Sequence, residues 1–355
     1  MTAAVNWAIN GLVAMAPVLT MLVSLRAFDS FKLVAFGRIA WMLFWGGCSA
    51  ALAYGLGALV LSQLLIDFSV YSRYVAPLIE EALKATPLIW LIQRNRVGFL
   101  VDAAILGFAL GAGFALVENS YYLANNDLSL GVWLVRGFGT AVMHGGVTAV
   151  VGITVLAAID KRQQLTPMVI LPGLLLAALI HSGFNHFFFQ PLLSALVVFW
   201  LVPLFMLWVF QRSADSLNQW LEEDFEGDAA LLEQLDAEAF DETHVGQFLQ
   251  DLSGRYEPMT IVDILCYVRL YTELSIRAKS FIVIREQGFE PPMSPTVTAQ
   301  FVELRHLEQS LGKTVLLSLS PLLQISRRDK WHLQALEQEA QAAVQQHGSI
   351  QRPKS

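Results

Sequence analysis

Seven runs of mainly apolar residues, each at least about as long as a bilayer crossing, decide what this chain can fold into. A helix needs about 20 such residues to span the hydrocarbon core. No water is present there to satisfy the backbone, so only helices or closed barrels cross. The runs occupy 5–25, 33–66, 71–93, 99–123, 132–159, 167–189 and 192–210. The second is longer than a crossing needs, and only Phe189-Gln190-Pro191 separates the last two. The expected fold is all-α, a polytopic membrane helix bundle of about seven spans, followed by a C-terminal soluble helical domain.

Composition sets the boundary between the two parts. Only 15% of the 355 residues are charged, against about 25% in a soluble domain, and the deficit lies before residue 212. The expected domains are a membrane-embedded one over 1–212 and an acidic helical tail over 213–355. Residues 213–250 contain eleven Asp or Glu and no Lys or Arg. The net charge of −7 therefore belongs largely to the tail, and no nucleic-acid partner is expected. The stretch 261–284 is apolar enough to be weighed as a further span. However, Asp263, Arg269, Glu273, Arg277 and Lys279 are spread through it, which fits an amphipathic helix better. Helices are also expected over 296–311 and 329–346, after a break marked by Pro291, Pro292 and Pro295. The first apolar run lacks a basic leader and a small-residue cleavage site, so it reads as a span and not a removable signal. Cys48 and Cys266 do not suggest a disulfide framework.

Basic residues orient the bundle. Arg26, Lys32, Arg38, Arg94, Arg96, Lys161, Arg162 and Arg212 flank one set of alternate connections, and only Arg73 and Arg136 the other. By the positive-inside rule the N-terminus lies outside and the tail in the cytoplasm. Trp7, Trp90 and Trp133 fall near expected span ends, where interfacial aromatics collect.

The third run carries Pro77-Leu-Ile-Glu80-Glu81-Ala-Leu-Lys84. Charges at the bilayer centre cost about 2.5–3.5 kcal/mol each on insertion scales, so such a cluster reads by default as a functional site with a nearby partner. Glu80 and Lys84 share a helix face at i, i+4, and Glu81 reaches Lys84 at i+3. A desolvated carboxylate is a stronger base than one in water, which suits it to activating a water molecule. The competing reading is a buried ion pair that locks the helix. Other runs supply partners: Glu118 in Phe114-Ala-Leu-Val-Glu118-Asn119, then His144 before Gly145 and Gly146, then His181 and Asn185 at i, i+4. Glu118 is a third cluster member, a metal ligand, or an acid reaching the interface. The histidines suit metal binding, proton transfer or oxyanion donation, and Asn185 suits oxyanion donation; interhelical hydrogen bonding is the bland alternative. At about 1.5 Å rise per residue, Glu80, Glu118 and His181 fall about 8–14 Å below the outer face, with His144 slightly deeper. Gly107 and Gly111 give a spacing that permits close helix packing. HExxH, GxSxG and Walker A motifs are absent from the sequence.

Taken in order, Glu80-Glu81-x-x-Lys84, Phe114-x-x-x-Glu118, His144 and His181-x-x-x-Asn185 resemble the PrsW family of bacterial intramembrane proteases, relatives of the CAAX prenyl endopeptidases. The wider group has EExxxR, FxxxH and HxxxN; Lys84 one position early, and Glu118 in place of His, are what the PrsW branch shows. The resemblance covers the membrane domain only. It implies a peptidase of the bacterial inner membrane that cuts a single-span membrane protein near the outer face, an anti-sigma factor in the family's known role. It makes Glu80 the base for water, with Glu81 assisting or paired with Lys84. His144 and His181 polarise the carbonyl or bind metal, and Asn185 steadies the oxyanion. Glu80, Glu118, His144 and His181 are candidate ligands for a divalent metal such as zinc, and a metal-free glutamate mechanism stays equally open. The alternative class is a membrane scaffold or proton-coupled transporter without enzymatic activity.

Overall fold

A computed structural model describes residues 3–29, 34–162, 164–323 and 325–350. Lys32, one of the orienting basic residues, lies outside them. The described residues form helices and no strand. The chain divides into two compact units, Met1–Asp215 and Ser216–Ser355.

In the first unit α1 (Ala3–Phe28) and α2 (Phe36–Leu64) are followed by a short α3 (Phe68–Val70), a π-helical turn (Tyr71–Val75) and α4 (Ala76–Gln93). Next come α5 (Leu100–Asn125), a short α6 (Leu130–Leu134), a second π-helical turn (Val135–Ala141), α7 (Val142–Arg162) and α8 (Pro167–Asn185). The long α9 (Pro191–Leu235) begins in this unit and ends in the second. Six described stretches are long and apolar enough to cross a membrane: α1, α2, α5, α6 through α7, α8 and α9. Seven were expected, and the difference is α4. It forms as a helix, but Glu80, Glu81 and Lys84 interrupt its apolar surface.

The unit is built around α5, buried on every face from Val101 to Ala115. A helix that is apolar all round belongs in a core. Its N-terminus is capped by Asp102, whose Oδ2 accepts from the amides of Gly98 (3.0 Å) and Phe99 (3.2 Å). Gly107 and Gly111 let α7 come close. A β-carbon at Gly111 would collide with the His144 carbonyl, and one at Gly107 would lie 2.7 Å from the Ala149 Cα. These two glycines thereby fix how far His144 stands from α5. A β-carbon at Gly145 would meet the Phe108 ring, and one at Gly146 the Val202 side chain. Trp133 also departs from expectation. It is fully buried, packed in one cluster with Ala14 and Leu123, whereas Trp7 and Trp90 are exposed.

The second unit holds the end of α9 with α10 (His244–Ser253), α11 (Pro258–Glu286), α12 (Pro295–Ser318) and α13 (Arg327–Ile350). The stretch 261–284 is one helix of this unit, as its charges predicted. It buries Ile264, Tyr267, Val268, Tyr271, Leu274 and Ala278 along one stripe. The three prolines fall between α11 and the start of α12.

Candidate active site

Four helices and one π-helical turn bring the charged residues together. Lys84, completely buried, donates to Glu81 Oε1 at 2.6 Å across one turn of α4. No bond joins it to Glu80. Its second contact, 3.0 Å, is to Nδ1 of His144 on α7, and its ammonium lies 4.7 Å from the Phe114 ring centroid on α5. Glu81 Oε1 also accepts from Nδ1 of His181 on α8, at 2.8 Å. The other nitrogen of His181, Nε2, faces Glu80 Oε2 at 3.8 Å. His144 Nε2 lies 3.3 Å from Glu118 Oε2. The two imidazoles meet edge to face, 4.8 Å between centroids.

The charges do not cancel. Three carboxylates (Glu80, Glu81, Glu118) meet two fixed cations. Glu81 belongs to Lys84, and Glu118 to Arg136, whose Nη2 is 3.2 Å away. Among the described residues no lysine or arginine pairs with Glu80. The open side of the cluster holds Glu80 and Glu118, with side chains 18% and 28% exposed, while Glu81 and Lys84 are at 0%. One carboxylate, without a cation and on the accessible side, is the group free to act as a base.

The sequence shows Arg136 only as a charge at the flank of a connection, near the start of the fifth apolar run. In the structure it sits in the second π-helical turn, pairs with Glu118, donates through Nε to Asn119 Oδ1 (2.9 Å), and lies 3.8 Å over the Tyr122 ring. Asn119 in turn donates to the Ala14 carbonyl on α1 at 2.8 Å. An arginine beside the Glu118-Asn119 pair has no spacing signature, because the contact crosses from α5 to the turn before α7.

Asn185 stands one turn beyond His181. Its amide donates to the Ser72 carbonyl at 2.9 Å, and Ser182 Oγ donates to the Arg73 carbonyl at 2.6 Å. Both acceptors lie in the π-helical turn ahead of α4. Widened turns of this kind concentrate at functional sites. Here α8 satisfies their carbonyls, so His181 and Glu80 are tied to the same two helices. His186, the residue after Asn185, bonds locally, its Nδ1 donating to the Ser182 carbonyl and its ring edge-on to Tyr74. Glu80, His144 and His181 each offer one potential ligand atom within 4.8 Å of the others. Glu118 is outside that triad.

Residues 36–209 match the family model described as PrsW family intramembrane metalloprotease. No curated protein and no solved structure matches the chain.

Proposed function

We propose, from the premise that the chain belongs through residues 36–209 to the PrsW family of intramembrane proteases, that Glu80 is the base that activates water to cut a membrane-anchored substrate. The observation that carries this is the facing pair Glu80 Oε2 and His181 Nε2, 3.8 Å apart, with Glu80 the only cluster carboxylate lacking a cation among the described residues. The gap is too long for a hydrogen bond and suits one water within about 2.8 Å of both atoms. Glu81, anchored by Lys84, accepts a hydrogen bond from Nδ1–H of His181 and so leaves the Nε2 lone pair toward that water. The water gives one hydrogen to each acceptor and turns its oxygen lone pairs to the scissile carbonyl carbon. Glu80 removes the proton as the C–O bond forms, then returns it to the amide nitrogen as the C–N bond breaks. His144 and Asn185 serve the carbonyl oxygen, with Glu118 holding His144. Asn185 has a second amide hydrogen besides the one on Ser72.

The family's description implies a metal. The spacing of Glu80, His144 and His181 and their donor types suit one. His181 has the carboxylate partner that metal-bound imidazoles keep. His144 does not fit: one nitrogen faces the Lys84 ammonium and the other Glu118. Two ligands then remain where a catalytic zinc takes three, so no step of the cleavage runs through a metal.

The same reading extends to the surroundings. The substrate is a single-span membrane protein cut near the outer face of a bacterial inner membrane, with an anti-sigma factor the class the family resemblance indicates. The N-terminus is outside, and the 213–355 tail is a cytoplasmic regulatory or partner-binding domain, motivated by its separate acidic composition. Incubating the purified chain in lipid with a panel of single-span substrates, and mapping products by mass spectrometry, tests this. New termini in the outer half of the substrate span are expected. No cleavage across a broad panel, anti-sigma factors included, favours a scaffold or transporter. Deleting 213–355 should change the control of cleavage; unchanged cleavage and control would remove the tail's proposed role.

A further inference from the structure

His144 and His181 are both buried, yet they are wired in opposite senses. His181 has a carboxylate at Nδ1, an acceptor, so that nitrogen carries the hydrogen. His144 has an ammonium at Nδ1. A lysine ammonium has three donor hydrogens and no acceptor capacity, so in this contact Nδ1 of His144 must be the acceptor. A neutral imidazole carries one hydrogen, and that hydrogen is then on Nε2, facing Glu118 Oε2. Lys84 cannot easily turn away. Its ammonium has Glu81 at 2.6 Å, His144 at 3.0 Å and the Phe114 ring beneath it, three partners for three hydrogens, in a side chain with no exposure. Phe114 of the Phe114-x-x-x-Glu118 stretch thereby gains a purpose. Its ring packs against His144, 4.9 Å between centroids, and closes the third side of the ammonium.

We propose that Lys84 is a positioning residue that fixes His144 as the Nε2–H tautomer, committing it to hydrogen-bond donation and keeping it out of any metal's coordination shell. A histidine that binds metal normally donates its other N–H to an acceptor. With an ammonium at Nδ1, ligation through Nε2 would require an imidazole stripped of both hydrogens. Ligation through Nδ1 would bring a metal cation against the ammonium. The N–H that faces Glu118 in the free site is then the donor available to a substrate carbonyl oxygen. The inference deepens the protease reading of the same residues. Its test reads proton position and metal affinity, not cleavage, so the two fail separately.

The test is nitrogen-15 NMR of histidine-labelled full-length protein in lipid, with the His144 signals assigned by loss in His144→Gln. Wild type and Lys84→Arg should show His144 protonated at Nε2. In Lys84→Gln the side-chain carbonyl can accept from Nδ1–H, and the ratio of Nε2–H to Nδ1–H should fall at least tenfold. Wild-type His144 protonated at Nδ1, or a folded Lys84→Gln variant with an unchanged ratio, overturns the proposal. Should Lys84→Gln fail to fold, cobalt(II) titration of wild type and His144→Ala decides. Equal Kd values within threefold, or no binding by either, are expected. A tenfold or greater loss of affinity in His144→Ala would make His144 a ligand and overturn the proposal.

Discussion

Each unit of this protein buries a lysine among carboxylates and a histidine, and the two clusters differ in what is left over. In the second unit Lys279, 1% exposed, is held by Asp228 at 2.6 Å, Asp224 at 3.3 Å and the Asp224 carbonyl at 3.0 Å. His332 beside it uses both nitrogens, Nδ1 donating to the Arg328 carbonyl (3.0 Å) and Nε2 accepting from Ser275 (3.3 Å). In the membrane unit Lys84 is equally well held, but among the described residues no lysine or arginine pairs with Glu80, and His181 turns Nε2 toward it at 3.8 Å. Buried charge by itself therefore does not mark an active site. In the proposed reading, what marks it is a carboxylate that the surrounding charges leave unmatched, on the accessible side of the cluster, opposite the second nitrogen of a histidine.

The comparison can be broken by removing one partner at a time. Glu81→Gln should do the most damage. It leaves the fully buried Lys84 without its carboxylate and releases the tautomer of His181, so about 3–5 kcal/mol of stability should be lost together with cleavage. Chemical or thermal melts in lipid, read beside the cleavage rate, check both. Asp228→Asn takes the nearer carboxylate from Lys279 but leaves Asp224, so the loss should be smaller, on the order of 2–3 kcal/mol. It should fall on the second unit, as amide exchange of α11 would report.

A pH series sharpens the contrast further. Burial pushes the His332 imidazolium down to about 3, below the ordinary value of about 6.5. The unfolded chain thus takes up a proton between these values that the folded unit refuses. Stability from neutral His332 is complete above about pH 6.5 and is lost as pH falls toward 3. Exchange protection of α11 should drop between pH 7 and pH 4.5 by on the order of 2 kcal/mol, and His332→Leu should flatten that slope. Arg269 should matter least. It pairs with Asp236 and Glu273 at 2.6 and 3.2 Å but is half exposed, so Arg269→Ala should cost less than about 1 kcal/mol.

Much of this was legible in the sequence for identifiable reasons. Apolar run length gave the spans, because the bilayer sets it directly. The agreement in depth among Glu80, Glu118, His144 and His181 anticipated that separate helices would pool them. The charges interrupting 261–284 marked it as a helix of the second unit. What escaped depended on rotation and on contacts between distant segments. Glu81, not Glu80, holds Lys84, although the i, i+3 and i, i+4 spacings permit either. Arg136 reads only as a flanking charge of the fifth run until α5 and the turn before α7 are adjacent. Trp133 reads as an interfacial ring until α1 and α5 close over it. The two π-helical turns leave no pattern in residue type. The first is visible only through the groups that answer its carbonyls, Ser182 and Asn185.

The central claim is that Glu80 supplies the chemistry while contributing little to the fold. The most direct measurement is the single-turnover cleavage rate of wild type and Glu80→Gln in lipid, with a melt of each preparation. The account predicts nearly coincident melts and a rate at least about a thousandfold lower in the variant, within the range that removal of a general base produces. Cleavage that survives Glu80→Gln, or that disappears only because the variant unfolds, would contradict it.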